Sequence, residues 1–267
     1  MSVRLWSACL LLSLLLASPA RAQVTRGRTS EEASRTAPAE AGKSPDLPRV
    51  ERLVVELTNR FRREHGRGEL RINPKLTKAA QDFAAYIARE DKFSHTADGK
   101  QPWERTASQG YEECLIAENI AWESNPRGLS SRSLAQALLK GWQNSPPHRK
   151  NLLDPDLTEI GVGVAYSKQT DRYYGVQDFG RPKSEAIDFR VTNETEEEVP
   201  YAVDGKDFSI KPRYTVTHHR CRPPGLTFRL PQKTETPAKK GETFHPHGGA
   251  RYVVRRNSAG EYRVEEK

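Results

Sequence analysis

Two histidines and one glutamate stand in three polar stretches that separate apolar segments of the chain. His95 lies in SHTADG, Glu118 in AENIAW and His148 in WQNSPPHRKNLL. Each stretch falls at the boundary of a predicted element, where a rigid scaffold can present side chains in a cleft. Two imidazoles and one carboxylate suit a divalent metal such as Zn²⁺ with an open coordination position. They equally suit proton transfer, with the carboxylate orienting one imidazole, and spacing alone does not choose between the two chemistries.

The sequence lacks local motifs of familiar hydrolases. HExxH, GxSxG and a cysteine–histidine nucleophile signature are all absent. Ser145 precedes Pro146 and Pro147, so we interpret it as a residue that terminates a helix rather than as a nucleophile. We expect the proline pair to end that helix and to turn His148 inward. A histidine near a helix end is more often a cap or a surface residue than a ligand, so metal binding is a hypothesis here.

Apolar residues at helical spacing predict three helices that could position these side chains. The first runs from Val50 until His65-Gly66, and the second follows Asn73-Pro74, which is typical of a capping residue and a first-turn proline. The second helix ends near Lys92, and a shorter third helix covers 133–143. The two candidate histidines follow the second and third helices.

After Pro155 the pattern changes to alternation with a period of two. EIGVGVAY and RYYGVQDFG, separated by a short polar turn, predict a β-hairpin. Helices followed by antiparallel strands indicate an α+β domain, which we place at residues 49–183. Residues 184–267 contain short β-branched and aromatic segments broken by turn signals such as Asp204-Gly205. They predict a small all-β C-terminal domain, with a mobile loop at 232–241.

The N-terminal region has the composition of an export signal followed by a linker. Arg4, an apolar run from Leu5 to Leu16 and the small residues around Ala22 predict a signal peptide over residues 1–22. Residues 23–48 have almost no bulky apolar side chains and predict a disordered linker. No later apolar run approaches the length that spans a bilayer, so we expect a secreted protein, extracellular or periplasmic, with no retained transmembrane segment.

The charge of the chain indicates which partners to expect, and its cysteines bear on the redox state of its compartment. The chain has 43 basic and 35 acidic residues, for a net charge of +8, and the two signs are mixed along it. Nucleic acid is therefore not an expected partner. Removal of the signal peptide would leave Cys114 and Cys221, which could form a disulfide in an oxidising compartment or remain two free thiols.

Five motifs in order resemble those of the secreted CAP superfamily, which comprises cysteine-rich secretory proteins, antigen 5 and plant pathogenesis-related proteins. They are SHTADG, AENIAW, WQNSPPHRKNLL, TEIGVGVAY and YYGVQDFG, within about Val50 to Gly180. The form S-P-x-H-R-x-N is similar to that of the bacterial SCP-like extracellular branch. The resemblance implies an α-β-α sandwich (CAP-like), with helices on both faces of a central antiparallel sheet, and a cleft holding a His/Glu/Glu/His tetrad.

The implied tetrad is incomplete in this chain. His95, Glu118 and His148 match three of its members, whereas Ser145 stands where eukaryotic relatives have the second glutamate. One carboxylate fewer weakens zinc coordination but leaves a two-histidine site. Glu104 and Glu159 are acids that could take its place.

Three further residues match the resemblance and have structural interpretations. We expect Asn119 and Asn151 to fix backbone turns beside the cleft through side-chain hydrogen bonds. We expect Trp142 to fill the core.

The resemblance implies binding rather than a shared reaction, with lipid or sterol ligands in some members and cell-wall or host interactions in others. We therefore predict a secreted binding protein with a lipid, sterol or cell-wall ligand, and leave open whether it is an enzyme. A second hypothesis is a metal-assisted hydrolase of peptide or wall polymer, in which Zn²⁺ is bound by the histidines and Glu118 is the base. A third is a structural adhesion module acting through residues 184–267.

Overall fold

The computed structural model describes residues 44–124, 128–230 and 243–267, in which every helix and strand below lies. The predicted signal peptide, most of the predicted linker and the predicted loop at 232–241 lie outside the described residues. The helices are α1 (Leu47–Glu64), α2 (Pro74–Glu90), α3 (Pro102–Ser108), α4 (Ser131–Asn144) and α5 (Pro146–Leu152). The strands are β1 (Arg71–Ile72), β2 (Glu113–Glu123), β3 (Glu159–Ser167), β4 (Arg172–Pro182), β5 (Ile187–Asn193), β6 (Val199–Val203), β7 (Lys206–Ile210), β8 (Thr215–Arg220), β9 (Leu226–Phe228), β10 (Thr243–Phe244), β11 (Arg251–Arg256) and β12 (Tyr262–Glu266). Within the described ranges, no helix combines the length and apolar character needed to cross a membrane.

The first sheet is enclosed by helices on both faces. Its strand order is β1-β3-β4-β2, and its neighbours are antiparallel except for the parallel pair of β1 and β3. Apolar residues of α1 and α4 form the core on one face, and those of α2 form the core on the other. The predicted α-β-α sandwich is therefore confirmed, with the short parallel edge strand β1 as an addition.

Glycines let α2 lie directly on β3. A Cβ atom at Gly161 would come within 2.1 Å, and one at Gly163 within 2.3 Å, of the α2 backbone. The intervening Ile160, Val162 and Val164 belong to the core on the opposite face, under α1 and α4. The alternation of glycine with branched residues in EIGVGVAY therefore gives the two helical layers different distances from the sheet.

Side-chain caps explain where the first two helices begin. The Asp46 carboxylate accepts a hydrogen bond from the Arg49 amide, and α1 begins at Leu47, inside the stretch predicted as linker. Pro48 suits the first turn because an amide hydrogen at that position would have no acceptor within the helix, so proline loses nothing by lacking one. Asn73 caps α2 as the sequence predicts.

The prediction that a helix ends at the proline pair is confirmed, but the pair also begins another helix that the sequence did not predict. α4 ends at Asn144, and Pro146 and Pro147 form the first turn of α5 instead of stopping the chain before a loop. An amide hydrogen there would have no partner within the helix, and the proline φ already suits a helix. His148 is thus the third residue of a short helix.

The C-terminal residues form a β-rich region, as predicted. Its described strands make two four-stranded sheets, ordered β10-β9-β6-β7 and β12-β11-β5-β8. Together they bury a separate apolar cluster that includes Phe189, Tyr201 and Tyr252. All described residues belong to one compact unit, so the domain boundary at residue 184 stays a prediction.

A disulfide and an ion-pair cluster are among the contacts that join the C-terminal β region to the sandwich. Cys114, in β2, forms a disulfide with Cys221, with Cα atoms 5.4 Å apart. Arg222, the next residue, donates hydrogen bonds of 2.6 to 2.9 Å to the carboxylates of Asp154 and Asp156. Of the two alternatives for the cysteines, the structure contains the disulfide.

We expect the double substitution Cys114→Ser/Cys221→Ser to lower the free energy of unfolding by about 4 to 5 kcal/mol, because the disulfide closes a long loop in the unfolded chain. The bonded residues are 107 positions apart. Urea denaturation with and without reductant measures the effect, and reductant should change the wild type but not the variant. Equal stability of the two proteins under oxidising conditions would contradict the expectation.

A buried histidine in the C-terminal β region couples its stability to pH. His218 is 5% exposed, shares a 2.9 Å hydrogen bond with the Tyr201 hydroxyl and stacks on Phe189. Burial lowers the pKa of His218, and the charges of Arg220 and His219 lower it further. Because its pKa is lower in the folded than in the unfolded chain, the unfolded chain binds more protons between the two values. Stability should therefore fall as the pH drops through about 6.5, the ordinary pKa of histidine.

Thermal unfolding between about pH 7.5 and pH 5 tests this linkage. We expect the midpoint to fall with pH in the wild type, and to fall less in His218→Gln, which cannot be protonated and can still hydrogen-bond to Tyr201. An identical pH profile in the two proteins would assign the effect to other groups.

Candidate functional site

Glu118 lies in the middle of β2, not at the element boundary expected from the sequence. Strand β2 is at the edge of its sheet, and residue 118 pairs with Asp178 of β4. Its side chain lies on the same face as Ile120, which packs in the core under α2. Only 1% of the Glu118 side chain is exposed.

His95 lies in the turn that follows α2, and Glu118 fixes its orientation. The His95 Nδ1 atom lies 2.7 Å from Oε1 of Glu118, while 47% of the histidine side chain stays exposed. A carboxylate at Nδ1 favours the tautomer whose proton is on that nitrogen. The Nε2 atom of His95 is then free to accept a ligand.

Arg105, in α3, holds Glu118 and the loop of His95 together. Its guanidinium donates to Oε2 of Glu118 at 2.5 Å, to the carbonyl of His95 at 3.0 Å and to the carboxylate of Asp98 at 2.9 Å. It also lies over the ring of Phe83, 3.5 Å from the centroid, and its side chain is 6% exposed. No local sequence pattern marks Arg105, because its hydrogen-bond partners lie up to 13 residues away in the chain.

Asp178 is a second buried carboxyl beside Glu118, and it is not among the residues predicted for the site from the sequence. It is fully buried, and no described residue makes a hydrogen bond of normal geometry to either of its oxygens. Burial raises the pKa of Asp178 well above its usual range, and the charge of Glu118 adds to the effect. A neutral Asp178 spares the site a second buried negative charge. Its signal in the sequence is an acid inside the apolar segment YYGVQDFG.

The two asparagines fasten α5 to the open edge of β2. The Asn119 amide donates to the carbonyl of His148 and to the side chain of Gln177, both at 3.2 Å. The Asn151 amide donates to the carbonyl of Glu118 at 3.2 Å and to Asn119 at 2.9 Å. The bond from Asn151 to Glu118 satisfies a backbone carbonyl of the edge strand, and the set of bonds fixes the position of α5.

His148 approaches His95 from the opposite layer of the sandwich. The ring centroids of His95 and His148 are 6.5 Å apart, with the planes inclined at 56°. Burial lowers the pKa of His148, and the neighbouring His95 lowers it further. The neutral imidazole, which is the ligating form, is therefore favoured at neutral pH.

The donor set suits an open site with two nitrogens better than a closed metal centre. The described ranges contain no group of three or more His, Cys, Asp or Glu side chains arranged to hold a metal. Both oxygens of Glu118 already bind His95 and Arg105. The two imidazoles are the sequence-predicted groups that can still act as donors.

The other residues considered for the site lie elsewhere. Glu104 accepts a hydrogen bond from the amide of Gln101 at the start of α3, and Glu159 accepts one from the Tyr111 hydroxyl. Neither replaces the missing carboxylate. Trp142 of α4 is fully buried in the core under α1 and α4.

The fold and the site define an α-β-α sandwich protein with two histidines at an edge strand. Residues 55–179 match the family model described as CAP, the cysteine-rich secretory protein family. The uncharacterized protein YkwD of Bacillus subtilis (strain 168) is 30% identical over 159 residues, which are 57% of this chain and 59% of YkwD. The resemblance of this part of the chain to the CAP superfamily is therefore confirmed.

Two solved bacterial structures are also similar to this chain. An extracellular protein containing an SCP domain from Bacillus anthracis is 29% identical, with a TM-score of 0.44, over 51% of this chain and 41% of that chain. A cysteine-rich secretory protein from Staphylococcus aureus is 23% identical, with a TM-score of 0.39, over 51% of this chain and 40% of that chain. In these comparisons, as with YkwD, this chain covers less than two thirds of the relative's length.

We expect Glu118→Gln to lower the free energy of unfolding by about 3 kcal/mol, because it removes a carboxylate from the buried Arg105 cation. The matched control is Glu112→Gln, which changes an exposed acid one residue before β2 and should cost less than about 0.5 kcal/mol. Urea denaturation of both variants measures the difference. A loss in Glu118→Gln no larger than that in the control would show that the buried ion pair does not stabilise the fold.

Proposed function

We propose that this protein is an exported binding protein whose binding cleft contains His95 and His148. The observation that carries the proposal is the state of Glu118, whose side chain is 1% exposed and whose two oxygens are both engaged. A general base must reach the proton that it removes, directly or through one water. Glu118 is enclosed and so acts as the residue that orients His95. This favours binding over the metal-assisted hydrolase with Glu118 as base.

The ligand chemistry that we propose for the two imidazoles is a divalent cation of the zinc type. Neutral imidazole nitrogens are good donors for such cations. Glu118 at Nδ1 of His95 leaves the opposite nitrogen free, and the lowered pKa of His148 favours its neutral form. With two protein donors, water or an organic ligand would complete the coordination, and a bound cation would supply a positive centre for that ligand. A lipid, sterol or cell-wall polymer, the classes that the resemblance implies, is the organic ligand in this proposal.

Export is supported by two features of the chain. Residues 1–22 have the charge, apolar run and small residues of a signal peptide. The disulfide between Cys114 and Cys221 belongs to the kind of bond that persists in oxidising compartments. We therefore place the binding function outside the cytoplasm.

Calorimetric titration of the purified protein with Zn²⁺ at about pH 7.5 tests the site, at a pH where the neutral imidazole is favoured. We expect one ion per chain, and an affinity that falls at least about tenfold in His95→Ala and in His148→Ala, because each removes one of two donors. The matched control is His245→Ala, an exposed histidine of the C-terminal β region, which should bind as the wild type does. Binding should weaken as the pH falls, because protons compete for the same nitrogens.

Two results would contradict the proposal. Unchanged Zn²⁺ affinity in the double variant His95→Ala/His148→Ala would exclude the imidazole pair as the site. Hydrolysis of a peptide or of cell-wall polymer by the wild type, lost in Glu118→Gln while the fold remains intact, would restore the hydrolase hypothesis.

A further inference from the structure

A groove between α5 and the C-terminal β region lies outside the histidine cleft. Its volume is about 670 Å³, which is within the range of pockets that bind ligands. Pro146, Leu153 and Pro155 supply apolar lining, and Arg149 and Lys150 line it with positive charge. Asp154 and, from the C-terminal β region, Arg222 complete the lining.

The charges on the two sides of the groove differ in their partners. Arg222 is already neutralised, because its guanidinium binds the carboxylates of both Asp154 and Asp156. In contrast, no acidic side chain in the described part of the chain pairs with Arg149 or Lys150. The side of the groove formed by α5 therefore has two positive charges without a counter-charge.

Arg149 is held in place without using most of its hydrogen-bonding capacity. Its guanidinium donates to Nε2 of His65 at 3.1 Å and lies 4.9 Å from the ring centroid of Phe61. An arginine has five N–H donors, so several remain for a ligand. A guanidinium positioned in this way matches a carboxylate, which it can bind with two parallel hydrogen bonds.

We propose that this groove binds an acidic peptide segment of a partner protein. An apolar side chain of the peptide lies against Pro146, Leu153 and Pro155, and flanking carboxylates bind Arg149 and Lys150. The apolar lining distinguishes this ligand from a purely anionic polymer, which would leave that surface in water. The groove uses none of the His95 and Glu118 contacts, so this proposal does not depend on metal binding.

Fluorescence anisotropy with the full chain, disulfide intact, tests the groove. The probe is a fluorescein-labelled peptide in which four glutamates flank a leucine–phenylalanine pair. We expect Arg149→Gln/Lys150→Gln to weaken binding at least about tenfold, because the glutamates of the peptide lose both of their positively charged partners. The matched control is Lys168→Gln/Lys211→Gln, which removes two exposed positive charges elsewhere and should change the affinity less than about twofold.

Further measurements distinguish loss of binding in the groove from misfolding of the variant, and the proposed peptide from other ligands. Lys150 is exposed, so Lys150→Gln alone should weaken binding while the far-UV circular dichroism spectrum stays unchanged. A second peptide with serines in place of the leucine–phenylalanine pair should bind at least about tenfold more weakly, because it loses the apolar contact. His95→Ala should bind the first peptide as the wild type does, whatever its effect on Zn²⁺.

Three outcomes would overturn the proposal. Equal losses of affinity in the two double variants would show that the peptide binds through non-specific attraction between opposite charges. Stronger competition by polyphosphate, or by vesicles of phosphatidylglycerol, than by unlabelled peptide would assign the groove to a different class of ligand. Equal affinity for the serine peptide would exclude the apolar contact.

Discussion

The site depends on one buried cation, Arg105. Moving a charged group out of water costs several kcal/mol unless it finds partners, and the terminal nitrogens of Arg105 find theirs in β2 and in the loop after α2. Glu118 supplies one carboxylate, Asp98 the other, and the carbonyl of His95 a third acceptor. The neutral state favoured for Asp178 keeps this charge balance from shifting towards an excess of negative charge. The orientation of His95 is therefore fixed by the electrostatics of the interior and not by the surface loop in which it lies.

The second histidine owes its position to a different constraint, the unprotected edge of the sheet. Strand β2 has a neighbour on one side only, and an edge strand presents backbone groups that need partners. Asn151 of α5 meets part of that need by donating to the carbonyl of Glu118, and Asn119 of the strand donates to the carbonyl of His148 in α5. The contacts that cover the edge also place the ring of His148 within 6.5 Å of His95. The hydrogen bonds that protect the edge strand thus also bring His148 close to His95.

The sequence predicted what local rules determine and missed what distant contacts determine. The sequence predicts the Asn73 cap of α2 and the strand β3 with its alternating glycines. Both features depend on residues that are close together in the chain. The sequence predicts Glu118 at a boundary because β2 has apolar residues on both faces, packed under different helices, and so shows no period of two. The short helices α3 and α5 have too few turns to show an apolar stripe. The three candidate site residues could be chosen by type and resemblance, whereas Arg105 and Asp178 become visible only when the chain is folded.

The disulfide gives the two parts of the molecule a second covalent connection beside the backbone. Cys114 lies before the short connector between β4 and β5, and Cys221 lies after it. A protease that cuts this connector would therefore nick the chain without separating the fragments, as long as the sulfur–sulfur bond persists. A chain nicked in this way by an extracellular protease would keep its full mass as long as the disulfide remains. Its loss of integrity would become apparent only where a reductant is present.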